Sequence, residues 1–114
     1  MSFEEYIVEQ KAFSEKTFGP GYATHRIIDH IKRELIEIEA KPQDWCEWID
    51  IAMLAIDAAW RCGASPRQIV ARFWEKLAIN QRRLWPDWRT SDPDKAMEHI
   101  REVCTSNDDN VRRA

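Results

Sequence analysis

From Ser2 to about Arg83 apolar side chains recur at three- and four-residue intervals, and no stretch shows the two-residue alternation of a half-buried strand. The pattern predicts an all-α chain. Ser2, with Glu5 three positions on, is a capping box for a first helix that runs to about Phe18, where Gly19-Pro20-Gly21 stops it. Thr24 opens a second helix toward Ala40. After Lys41-Pro42-Gln43, Asp44 and Glu47 offer a second capping box, and the third helix ends near Cys62-Gly63. Ser65, Pro66 and Gln68 start a fourth, which should stop before Trp85-Pro86 because the residue ahead of a proline resists helical geometry. A short last helix is expected from Pro93, capped by Ser91 or Asp92, to about Cys104, with residues 105–114 as a polar, disordered tail. These elements make one helical bundle over residues 1–104, with four main helices joined by short links that favour antiparallel neighbours.

The hydrophobic faces carry further information. In the second helix Ile27, Ile28, Ile31, Leu35 and Ile38 define an apolar face, with Glu34 at its edge and Glu37 and His30 beside it. The third helix, "WCEWIDIAMLAIDAAW", is apolar around most of its circumference and must be surrounded by other helices or other subunits. Its acids, Glu47, Asp50 and Asp57, fall within an arc of about 80° and so form one polar stripe.

Glu34 and Asp50 are equally distant from Pro42, and so are Glu37 and Glu47. In an antiparallel hairpin Glu34 should therefore face Asp50, and Glu37 should face Glu47, as a box on the order of 5 Å on a side. At an effective dielectric near 20 each close pair would repel by roughly 3 kcal/mol. Several such pairs rival the whole stability of a small domain, about 5–15 kcal/mol. A cation must gather them, or some must hold protons. Hard oxygen donors in that number suit Mg²⁺ or Mn²⁺, which keep positions open for water and for substrate phosphates. A single ExxE is usually a solvated helix face; two, mirrored about a short turn and set in an apolar helix, are better explained by a metal site.

Composition narrows the classes. Hydrophobic residues at 44% and charged ones at 32% are ordinary for a soluble domain, and no apolar run approaches the length of a membrane span. The acidic opening, "MSFEEYIVEQ", has neither basic leader nor apolar h-region, so the cytoplasm is the expected compartment. A net charge of −3 gives no reason to expect a nucleic-acid polymer as partner. Cys46, Cys62 and Cys104 are odd in number and lack a CxxC, which argues against a disulfide framework and a zinc site and reads as buried or idle thiols. On the fourth helix Lys76, Asn80 and Arg83 lie within about 60° of one another. Lys76 and Arg83 could hold phosphate oxygens, and Asn80 could bond sugar or base.

The pair "ELIE" (Glu34, Glu37) and "EWID" (Glu47, Asp50), in the context "FGPGYATHRIIDHIKRELIEIEA", "EWIDIAMLAIDAAWRCG" and "KLAINQRRLWPDW", resembles the MazG-like all-α nucleotide pyrophosphohydrolases, and within them the dATP/dGTP (MazZ-like) branch often found in phages. The resemblance covers about Phe13 to Trp88. One departure is Arg33-Glu34, where many relatives have two acids. The resemblance implies cleavage of a purine deoxynucleoside triphosphate, dGTP or dATP, to its monophosphate and pyrophosphate. It also implies two or more Mg²⁺ or Mn²⁺ ions and a homo-oligomer, dimer or tetramer, in the host cytoplasm if phage-encoded. Glu34, Glu37, Glu47 and Asp50 would be metal ligands, one of them activating the attacking water, with Asp57 or a substrate oxygen filling the thinner shell. From position alone, His30, one turn before Glu34, could join the metal shell or bond substrate, a hydrogen bond to a carboxylate being the favoured reading, and Trp85 or Trp88 could flank a purine. A di-iron carboxylate protein would need ExxH motifs that are absent. The remaining alternative is a non-catalytic helical interaction module with surface acids.

Overall fold

A computed structural model describes residues 1–101. Four helices follow one another: α1 (Phe3–Phe18), α2 (Thr24–Ala40), α3 (Trp45–Arg61) and α4 (Pro66–Arg82). Among the described residues the regular structure is helical, apart from one antiparallel bridge between Leu84 and Ile100. None of these helices is long and apolar enough to cross a membrane.

The caps explain most of the boundaries. Ser2 Oγ accepts from Glu5 N at 3.1 Å, and Asp44 Oδ1 accepts from Cys46 N at 3.1 Å. Ser65 and Gln68 form a reciprocal box, Gln68 N donating to Ser65 Oγ at 3.1 Å and Ser65 N to Gln68 Oε1 at 2.8 Å. Thr24 begins α2 without a side-chain cap, Ala23 standing at the N-cap. Between α3 and α4, Gly63 takes φ of 103°, a left-handed turn that a side chain would resist.

Two compact units divide the chain at Ala71 and Arg72. In the first, α3 packs against α2 and, less extensively, α1. Ile7 of α1, Ile56 and Trp60 of α3 and Ile69 of α4 form the buried core, with Tyr6, Ala59, Ala64 and Val70 against it. The inner face of α2 is shifted from the one its sequence predicts: Ile27 and Ile38 are buried and Ile31 half-buried as expected, but Ile28 and Leu35 stay exposed and Glu34 is buried. The helix is thus rotated so that a carboxylate takes a core position. On α3, Trp45, Trp48 and Ile49 are exposed. Cys46 and Cys62 are exposed free thiols rather than buried ones.

In the second unit α4 ends at Arg82, ahead of Trp85-Pro86 as expected. The short helix expected from Pro93 is absent from its described part. Asp92 instead closes a local turn, its carboxylate accepting from Asp94 N at 2.9 Å and its carbonyl from Lys95 N at 3.3 Å. This is the bond by which Asp44 caps α3, but at Asp92 only a turn follows it. Ile100 then pairs with Leu84, N to O at 2.7 Å. Cys104 and the tail over residues 105–114 lie outside the described residues.

Candidate functional site

Glu34 is placed by α2, and Glu47 by the first turn of α3. Glu34, Glu37 and Glu47 each present a carboxylate oxygen within 4.8 Å of the other two. Glu47 is not spent as the partner in Asp44's cap; it crosses to both acids of α2. Its carboxyl is pushed above its ordinary value of 4.5, first by a hydrogen bond with Glu34 and then by desolvation, with a bond to Glu37 opposing. Two carboxyl groups can bond each other only by sharing a proton, so the rise measures how unwelcome a further negative charge is here.

Glu34 Oε1 lies 3.3 Å from His30 Nε2. Glu34 Oε2, in contrast, is buried and meets no hydrogen-bond donor. A buried carboxylate oxygen without a donor is costly to maintain, by about 1–3 kcal/mol or more. Together with two neighbouring carboxylates it makes an all-oxygen donor set of the kind that could hold a divalent cation such as Mg²⁺ or Mn²⁺.

Asp50 is not part of this trio. It lines, with Glu34 and His30, a cavity of about 310 Å³ whose other walls include Phe13, Phe18, Met53 and Leu54. The acids thus stand at the polar rim of a mainly apolar hollow between α1, α2 and α3, the common arrangement of a small-molecule site.

Asp57 reaches the same cavity, but its carboxylate is engaged throughout. Oδ2 accepts from Ser14 Oγ at 2.7 Å and from Arg61 Nε at 3.4 Å, and Oδ1 accepts from Trp60 Nε1 at 2.8 Å. The buried Arg61 continues to the carbonyls of Gly19 at 2.8 Å and Gly21 at 2.9 Å. Asp57 therefore anchors the turn between α1 and α2. Gln10, likewise buried, donates to the Met53 carbonyl at 2.8 Å and accepts from Tyr6 Oη at 2.7 Å. Gln10, Ser14 and Arg61 were not foreseen as site-building residues. The available signal was polar Gln10 and Ser14 spaced from Ile7 as an inward stripe of α1 would be.

In the second unit Asn80, Arg83 and Trp85 come together: Arg83 Nη1 donates to Asn80 Oδ1 at 2.9 Å and Trp85 Nε1 to the Asn80 carbonyl at 2.7 Å. Trp85 also meets the ring of His99 edge-on, with centroids 6.0 Å apart. Lys76 is exposed on α4.

These features define a class first: an all-α protein in which carboxylates of two adjacent helices gather beside a ligand-sized hollow. The chain belongs to the dATP/dGTP pyrophosphohydrolase family, which it matches over residues 6–103. It is also similar to the Eaa protein of Salmonella phage P22, 36% identical over 94 residues that make up 82% of this chain and 28% of that protein. This chain thus spans little more than a quarter of that relative's length. No solved structure matches.

The Glu47 shift gives a pH prediction. Its folded value lies above its unfolded value, so its contribution to stability is present below the ordinary carboxylate range and is lost as pH rises through the raised value. With chelator present, the melting temperature should fall as pH climbs from about 4 to 7; with millimolar Mn²⁺ the fall should be reduced or reversed, because the ion binds the ionised form. A flat profile in chelator would show that the acids do not crowd one another.

Proposed function

We propose that the chain is a metal-dependent hydrolase that converts dATP or dGTP to the monophosphate and pyrophosphate, in control of a nucleotide pool. The observation that carries this reading is Glu34 Oε2, buried without a donor where three carboxylates converge; family membership supplies the substrate class. Glu34, Glu37 and Glu47 would hold the metal, with Asp50, on the same cavity wall as Glu34, completing the set. When bound, Mg²⁺ or Mn²⁺, as two or more ions, neutralises triphosphate charge and lowers the pKa of water. The chain's own contribution is placement. His30 holds one oxygen of Glu34, so the carboxylate presents the other, and one of the four acids takes the proton of the attacking water. Phe13, Phe18, Met53 and Leu54 offer an apolar seat that excludes water from the nucleoside side.

Lys76 and Arg83 serve phosphate oxygens and Asn80 the sugar or base; Asn80 and Arg83 exchange their mutual bond for bonds to substrate. Trp85 is a further candidate for base contact. The exposed Trp45, Trp48 and Ile49 of α3 support assembly as a dimer or tetramer. The family membership and the phage relative together favour a phage protein acting in the host cytoplasm.

The test incubates purified protein with each common nucleoside triphosphate and Mg²⁺ or Mn²⁺, while sedimentation of the same sample reports its mass. Pyrophosphate and monophosphate should appear from dATP or dGTP, and none with chelator. No release from any nucleotide at saturating metal would defeat the reading.

A further inference from the structure

A second hollow adjoins the acids on the outer side of α2. It is a groove of about 330 Å³ lined by Arg26, Asp29, His30, Arg33, Glu34 and Glu37. Arg26, His30, Arg33 and Glu37 lie within about 60° of one another on the helix, so they form one stripe. Glu34 of the acid trio therefore borders the mainly apolar cavity and, together with Glu37, this groove, with His30 and Glu34 shared between the two linings.

A solvated ladder of i,i+4 ion pairs would account for Arg33, whose Nε lies 3.2 Å from Asp29 Oδ2. It does not account for Arg26. That side chain donates to the Phe18 carbonyl at 3.1 Å and lies over the Phe18 ring, 5.8 Å from its centroid. Arg26 is thus held at the groove without an ion pair to a carboxylate among the described residues. Each guanidinium has five donors, and these contacts leave most of them for a ligand. Once a divalent ion offsets Glu34 and Glu37, and Asp29 offsets Arg33, the charge of Arg26 and the spare donors of both guanidiniums remain, and phosphate oxygens are their chemical complement.

We propose that this groove seats the leaving pyrophosphate as its magnesium complex, with Arg26 and Arg33 as the anion-binding residues. The proposal rests on the hydrolase reading above and adds a phosphate subsite on α2 to the one assigned to Lys76 and Arg83. Cationic donors here would stabilise charge that develops on the β- and γ-phosphates as the bond breaks. The monophosphate, on the apolar side of Glu34, would not touch them.

The test reads binding, not turnover. Magnesium pyrophosphate and, separately, dGMP are titrated calorimetrically into the parent, an Arg26→Ala/Arg33→Ala double variant and an Arg26→Lys/Arg33→Lys pair. Pyrophosphate affinity should fall at least tenfold in the alanine pair and about fivefold in the lysine pair, which loses the forked donor but keeps the charge. dGMP affinity should stay within twofold. If the alanine pair fails to fold, the lysine pair decides. Pyrophosphate binding within twofold of the parent, no binding by the parent, or an equal loss of dGMP would each overturn the groove. A parent that binds pyrophosphate through these arginines yet hydrolyses no triphosphate would instead refute the hydrolase reading alone.

Discussion

Glu34→Gln should reduce pyrophosphate release at least about 100-fold, equivalent to roughly 2.7 kcal/mol of transition-state stabilisation, and should raise the melting temperature of the metal-free protein. Both effects have one origin. Glu34 is buried, its Oε2 meets no donor, and Glu37 and Glu47 bring further carboxylate oxygens within 4.8 Å. The carboxylate is useful to a cation for the same reason that it is unfavourable without one. Glutamine keeps the shape, removes the charge and adds two donors that the neighbouring acids can accept. Relief of the repulsion should stabilise the metal-free fold by about 1 kcal/mol, or 4–8 °C for a domain of this size. Mn²⁺ should then add little, whereas it should raise the parent's melting temperature by mass action. The measurements are pyrophosphate release at saturating metal and thermal unfolding with and without Mn²⁺. Activity within tenfold of the parent would place the chemistry elsewhere. A lower metal-free melting temperature would mean that Glu34 is satisfied in the fold.

Part of this site was legible because helix geometry is local. The caps at Ser2, Asp44 and Ser65 mark the starts of α1, α3 and α4 to the residue. Equal distances from Pro42 then suffice to bring acids of α2 and α3 together. The pairing within the group was not legible. Glu47 meets both Glu34 and Glu37, because a glutamate with three rotatable bonds can span one level of the hairpin, about 4.5 Å; the shorter Asp50 stays with the cavity. Hydropathy also misjudged the face of α2, placing Leu35 inside and Glu34 at the edge, when the buried position belongs to Glu34. A rule that ranks side chains by transfer from water does not place an acid inside, whatever would offset its charge there. The short helix from Pro93 does not form among the described residues even though Asp92 makes the bond by which Asp44 caps α3, because a cap alone does not propagate a helix.

Least legible was the network around Asp57, since it joins side chains 43 to 47 positions apart with the carbonyls of a glycine turn. Sequence spacing makes Asp57 one more member of an acid stripe. Its partners make it the counter-ion of Arg61, which lies stacked 4.3 Å over Trp60 and donates to Ser14 Oγ, Gly19 O and Gly21 O. Gly19 and Gly21 have φ of 88° and 89°, so their backbone takes a path that most residues resist, and the guanidinium ties it down.

Arg61→Met should therefore destabilise the protein by about 3–5 kcal/mol, on the order of 15 °C or more, chiefly because Asp57 is left charged and uncompensated in the interior. If the loss comes from that orphaned charge, Asp57→Asn in the Arg61→Met background should restore part of it, and the two changes together should be less harmful than their sum. Asp57→Asn alone should leave Mn²⁺ affinity within about threefold of the parent, since the carboxylate is bound to protein donors on both oxygens. Any residual activity of Arg61→Met should show a larger rise in KM than fall in kcat. Arg61 holds the turn that follows Phe18, and Phe18 is a wall of the cavity rather than part of the acid trio. Urea unfolding of the four proteins, Mn²⁺ titration of Asp57→Asn and steady-state kinetics decide the matter. Strictly additive losses would show that Asp57 and Arg61 do not act as a pair, and a collapse of Mn²⁺ affinity in Asp57→Asn would return Asp57 to the role of metal ligand.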